Sequence, residues 1–125
     1  MRSLTVLEKT NIILISYRGE LSLSELINDI HVDLTHYLQH QGNRFIIDFS
    51  EAKLQFGPHD IQPIRQKFEE FSDRLTFLHV AAIITLPMPT ATMLLVGQQV
   101  STPSIQFQAF CTLEAAKDWL LNLKD

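Results

Sequence analysis

Residues 45–61, FIIDFSEAKLQFGPHDI, hold the transition that decides how this chain folds. The stretch RFIIDF (44–49) is apolar at nearly every position, and a strand with that pattern is covered on both faces. A polar segment follows, and then the period changes. Ile61, Ile64, Phe68 and Phe71 recur at helical spacing, with Pro63 in the first turn, where its missing N–H breaks no intrahelical bond. Asp60 reads as the N-cap of that helix. Arg65–Glu69 and Glu70–Arg74, each four residues apart, read as ion pairs on its outer face. Strand, crossing loop and helix form the repeating unit of a parallel α/β sheet.

The same alternation extends in both directions. LTVLE (4–8) and IILISYR (12–18) read as strands joined by the polar turn Lys9-Thr10-Asn11. A helix then opens at Ser22, whose hydroxyl has capping-box spacing to Glu25. Its apolar face is Leu26, Ile27, Ile30, Leu34, Tyr37 and Leu38, and it ends at Gln41-Gly42-Asn43, with Gly42 suited to a left-handed cap. Downstream, LHVAAIITL (78–86) is a fourth strand, PMPTATMLLVGQQV a helix opening at Pro89, and SIQFQAF (104–110) an alternating strand. The last helix starts with Thr112 as N-cap and Glu114 near its positive end, and buries Ala116, Trp119, Leu120 and Leu123. The order β-β-α-β-α-β-α-β-α predicts one α/β domain over residues 1–125. Its sheet is mostly parallel, and only the first strand, through its short turn, pairs antiparallel.

Composition narrows the function classes. With 125 residues, 46% hydrophobic and 19% charged, the chain is long enough to bury one core and unlike a disordered segment. A net charge of −4 with no basic cluster argues against a nucleic-acid surface. The longest apolar run, near Val80–Leu86, is far short of a membrane span of roughly 20 residues, and the N-terminus has no signal-peptide pattern. With Cys111 as its one cysteine, the chain has no intramolecular disulfide and no cysteine-rich zinc site. A cytoplasmic protein without stable membrane insertion is expected.

Candidate chemistry is sparse. Ser50, His59 and Asp60 supply the residue types of a nucleophile, base and acid. Adjacent residues such as His59 and Asp60 point in different directions, however, and no G-x-S-x-G elbow occurs. Asp29, Asp33, His36 and His40 share one helical stripe and could chelate a divalent metal. The stripe lacks the H-E-x-x-H pattern and reads better as a solvated face. His79, within an apolar strand, reads as a hydrogen-bonded core or edge residue, and Cys111 as a small apolar residue at a strand end. No glycine-rich phosphate loop is present. Met93, Leu94, Leu95 and Val96 run consecutively, so at least one faces away from the core. They mark a candidate apolar-ligand or dimer surface.

The segments YRGELSLSEL (17–26), FIIDFSEA (45–52), VAAIITLP (80–87) and above all FCTLEAAKDWL (110–120) resemble the SpoIIAA-like STAS domains, the sulfate transporter and anti-sigma factor antagonist group. The closer likeness is to its stand-alone STAS/SEC14-like branch. The resemblance covers nearly the whole chain and rests on packing motifs. It implies a SpoIIAA-like fold and a non-enzymatic regulatory domain, without cofactor, that binds a protein partner. It also points to Phe56, Gly57, Pro58, His59 and Asp60 as the interaction loop. In the anti-sigma factor antagonists a serine in this loop accepts a phosphoryl group, adding a charge of about −1.5 to −2. Here that position falls on Pro58 or His59, so the phosphoacceptor is missing. The SEC14-like likeness implies an alternative, a small apolar-ligand or lipid-binding module. Homodimerisation is a further expectation for the Met93–Val96 surface.

Overall fold

The computed structural model describes residues 2–7, 10–39, 44–74, 77–102 and 104–123, without the side chains of residues 37–39, 72 and 88. The strands are β1 (Arg2–Val6), β2 (Ile12–Leu21), β3 (Arg44–Leu54), β4 (Leu78–Ile83) and β5 (Ile105–Phe110). The helices are α1 (Leu23–Gln39), α2 (Gln62–Glu70), α3 (Pro87–Val100) and α4 (Leu113–Leu121), with short 3₁₀ turns at Pro58–Asp60 and Ser72–Arg74. This is the expected element order. The Gly42 cap and His40 lie outside the described residues, as do the side chains of Tyr37 and Leu38.

The five strands lie in sequence order, β1-β2-β3-β4-β5. β1 runs antiparallel to β2 and every other pair is parallel. Successive right-handed crossovers that always advance in one direction return their helices to the same face. Accordingly α1, α2 and α3 pack on one face. There Leu26, Ile30, Ile64, Phe68, Met93 and Val96 meet Ile13, Ile15, Phe45, Val80 and Phe107 in the main core. The alternate residues Ile12, Ile46, Ala81 and Ile83 point to the opposite face, where α4 supplies Ala116 and Leu120. One helix cannot cover five strands. Among the described residues no helix covers the β1–β2 side of that second face.

Two strands exceed their sequence limits. β2 continues to Leu21 and β3 to Leu54, and Arg18–Leu21 pair with Glu51–Leu54 as a parallel ribbon. A bulge between Ser16/Asp48 and Arg18/Glu51 sets one residue of β2, Tyr17, against two of β3, Phe49 and Ser50. The charged residues of SEAK hid this extension, because an exposed ribbon needs cross-strand partners and no apolar run. Arg18 meets Glu51 at 2.8 Å, and Glu20 lies opposite Lys53. Gly19 has φ 77°, a left-handed conformation that favours glycine. At its other limit the sheet is shorter than predicted, since β4 stops at Ile83 and α3 opens at Pro87.

Of the three predicted helix N-caps, Ser22 and Thr112 form. Ser22 Oγ accepts the Glu25 N–H at 3.2 Å and donates to the Glu25 carboxylate at 3.0 Å. Thr112 Oγ1 accepts the Ala115 N–H at 3.1 Å. In α3, Gly97 lets the helix lie directly on β5: a Cβ there would stand 3.0 Å from the Phe107 carbonyl oxygen.

Candidate functional site

β3 runs past its last pairing with β4, Asp48 opposite Ile83, so the chain leaves the sheet beyond the end of its neighbour. The Gln55 N–H donates to the Leu21 carbonyl at 2.9 Å, and Phe56 packs partly buried against the main core. Next, the Gly57 N–H donates to Asp60 Oδ2 at 3.0 Å, while the Asp60 N–H donates to the Gly57 carbonyl, also at 3.0 Å. These two bonds close the Pro58–Asp60 turn, which rests against α3. His59 and Asp60 face solvent. Asp60 is therefore not the cap of α2. Its carboxylate reaches back to Gly57, and Ile61 holds the N-cap position without a side-chain bond.

Beside this loop, α2 exposes a charged face. Arg65 Nε donates to Glu69 at 3.0 Å, as expected. The predicted Glu70–Arg74 pair does not form, because α2 ends at Glu70 and Arg74 lies in a 3₁₀ turn. Lys67 instead meets Glu70 at 2.9 Å and lowers its carboxyl pKa. The Arg74 guanidinium lies 4.6 Å from the Phe71 ring centre, in cation–π contact.

The residues suggestive of a nucleophilic triad stay apart. Ser50 sits within β3, not at its end, and four more residues carry the chain about 13 Å along the strand before the loop begins. The Asp60 carboxylate is engaged by Gly57, and Asp48 Oδ1 accepts the Ser50 N–H at 2.9 Å. Neither carboxylate orients His59 in the manner of a triad.

The Asp29–Asp33 half of the stripe on α1 is not a solvated face, whereas His36 is exposed. Arg2, on β1, donates from Nη1 to Asp33 Oδ2 at 2.6 Å and approaches Asp29 at 3.7 Å. The Tyr17 hydroxyl donates to Asp29 at 3.0 Å. Burial pushes the Asp33 carboxyl pKa up against the opposing pull of Arg2. The Arg2 guanidinium is held above its usual range by the hydrogen bond to Asp33. These directions are compatible: the pair attracts, and desolvation of the carboxylate is the larger effect on Asp33. Sequence reading missed Arg2 because its partner lies 31 positions away. Among the described residues no group of three or more His, Cys, Asp or Glu side chains is placed to hold a metal.

His79 is buried and meets the Trp119 ring edge-on at 6.2 Å. Cys111 is exposed rather than packed, because it follows the last residue of β5 at the start of the turn into α4. In α3, Met93 and Val96 point into the core and Leu95 is half-buried, whereas Leu94 is 53% exposed. Leu94 and Met93 border an open groove of about 360 Å³ against Phe107 and Ala109 of β5. The space between α1, α2 and the sheet amounts to only about 30 Å³.

A five-stranded mixed sheet with its first strand alone antiparallel, and four helices in this order, defines the protein as one of SpoIIAA-like fold. The anti-sigma factor antagonist SpoIIAA in its unphosphorylated form superposes with a TM-score of 0.60 at 14% identity, over 98% of this chain and 100% of that one. The Bacillus cell fate determinant SpoIIAA in its phosphorylated form gives 0.53 at 15%, over 96% and 99%. An uncharacterised DUF3478-family protein of SpoIIAA-like fold from Shewanella loihica gives 0.56 at 16%, over 96% and 92%. The sequence itself matches no family model and no curated protein. The likeness is thus one of fold. No helix among the described residues is long and apolar enough to cross a membrane.

Proposed function

We propose that this chain is a non-enzymatic, cytoplasmic STAS-like regulatory domain. It recognises a protein partner through the Phe56–Asp60 loop and α2, without phosphorylation of that loop. SpoIIAA, with which it shares its fold, is an anti-sigma factor antagonist solved in both phosphorylated and unphosphorylated forms. The observation that carries the reading is the loop itself. No residue from Gln55 to Ile61 has a hydroxyl, yet two Gly57–Asp60 bonds and the anchored Phe56 hold the segment in one shape. A loop already ordered loses little conformational entropy when a partner docks, and this one offers His59 and Asp60 beside the charged face of α2.

The test mixes the chain with an anti-sigma kinase encoded in the same genome. Calorimetry should show a complex that His59→Glu weakens about tenfold, or roughly 1.4 kcal/mol. Intact mass after incubation with ATP should be unchanged. Phosphate on the loop, or a complex indifferent to His59→Glu, would refute the reading.

A second reading is favoured by the α3–β5 groove, whose volume of about 360 Å³ falls in the small-molecule range. There the chain would bind an apolar ligand against Met93 and Leu94, or a second copy of itself. A fluorescent fatty acid displaced by Leu94→Arg supports the ligand. A Leu94-dependent dimer in sedimentation supports the copy. The absence of both effects removes this second reading.

A further inference from the structure

The half-face that α4 leaves uncovered carries a cross-strand row of short polar side chains. Ser3 of β1 lies opposite Ser16 of β2, and Ser16 lies opposite Asp48 of β3. Strand pairing therefore lines up two hydroxyls and a carboxylate on one face, about 4.8 Å apart at each step. One step further along, beyond the bulge, the long Arg18–Glu51 ion pair rises from the ribbon. Short residues beside long ones make a hollow. The row, the ion pair and Ser50 line a half-open cleft of about 490 Å³; Arg2 and Tyr17 border it through their backbone, with their side chains turned to α1 on the other face.

We infer that this cleft is a binding site for a small, neutral, polyhydroxylated ligand of monosaccharide size. Three observations select that chemistry. First, Arg18 is held by Glu51, and the Arg2 guanidinium is turned to Asp33 on the other face of the sheet, so the charge presented to the cleft is the Asp48 carboxylate, which repels an anion and accepts hydroxyl protons. Second, the Ser3–Ser16–Asp48 spacing is close to that of alternate hydroxyls around a sugar ring. Each serine hydroxyl can donate or accept, and Asp48 uses Oδ1 for the Ser50 N–H while Oδ2 can accept a ligand hydroxyl. Third, serine and aspartate are poor strand formers, whereas the exposed positions of the same face on β5 carry the longer Gln106 and Gln108. The row is concave where a merely solvated face would not need to be. The cleft lies on the opposite face of the sheet from α2, so this inference stands or falls independently of the partner-binding reading.

The test is an amide-shift titration of the full chain with glucose, ribose and myo-inositol at millimolar concentration, and with inorganic phosphate as the anionic control. At least one polyol should shift the amides of Ser3, Ser16, Asp48 and Ser50 saturably, and phosphate should not. Asp48→Asn keeps the acceptor for the Ser50 N–H and loses the charge, so it should weaken binding about tenfold. Ser16→Val suits a strand and fills the row, and should abolish binding while the melting temperature holds. The inference is overturned by an absence of shifts with every polyol or by shifts elsewhere. It is equally overturned by a response to phosphate alone or by binding that survives Ser16→Val.

Discussion

Removing Arg2 isolates the contact that fastens β1 to the rest of the molecule. β1 buries little of itself: Leu4 is 42% and Val6 63% exposed. Its lateral hold is the ladder to β2, and its hold on α1 is the Arg2 guanidinium bonded to Asp33 at 2.6 Å. The Arg2 and Asp33 side chains are 22% and 12% exposed. The pair lies between a surface ion pair, worth about 0–1 kcal/mol, and a fully buried one, whose breakage costs about 3–5 kcal/mol. Arg2→Ala should therefore cost about 2–3 kcal/mol near pH 7 in urea unfolding followed by circular dichroism.

The cost should depend on pH with a definite sign. The folded pKa of Asp33 is raised, by burial first and against Arg2. Its stabilising contribution is therefore complete below the unfolded value of about 4 and is lost as pH rises through the folded value. Without Arg2 the folded value rises further, and the variant loses more over the same climb. The difference between the two proteins should be small near pH 4 and full near pH 7. Asp33→Asn in the Arg2→Ala background should flatten that dependence. Amide exchange should accelerate first in β1 and its β2 partners. A cost below about 0.5 kcal/mol at pH 7, or one equal at both pH values, would show that the Arg2–Asp33 pair does not fasten β1.

Tyr17 is pushed above its ordinary pKa by burial and by Asp29. Stability should thus fall as pH rises above about 10, a slope that Tyr17→Phe abolishes in alkaline melts. Gly97→Ala gains about 1 kcal/mol of helix propensity, but its Cβ would lie 3.0 Å from the Phe107 carbonyl oxygen and 3.3 Å from the ring. A net loss of about 1–2 kcal/mol is expected, and a raised melting temperature would contradict the close α3–β5 contact. Thr112→Ala removes the bond to the Ala115 N–H and should cost about 1 kcal/mol in chemical denaturation, with an unchanged midpoint as the contrary result.

The features legible in the sequence are local ones. Apolar runs of period two and stripes of period 3.6 gave the order of nine elements, and the hydroxyls of Ser22 and Thr112 marked two helix starts. These signals act within one turn of helix or one strand, so they survive without knowledge of the neighbours. Even local signals mislead where two sets of N–H donors compete for one carboxylate, as at Asp60, which serves Gly57 instead of α2. Tertiary structure decided whatever depends on a partner distant in the chain. It extended β2 and β3 through charged residues by cross-strand pairing, and it turned the Asp29–Asp33 stripe from a solvated face into the socket for Arg2. It also placed Ser3, Ser16 and Asp48 in one row. Their only trace in the sequence is a polar residue interrupting each of two apolar strands, Ser16 in IILISYR and Asp48 in FIIDF. Which face such a residue shares, and with what, is fixed by strand register and by the reach of a single helix, α4, across five strands.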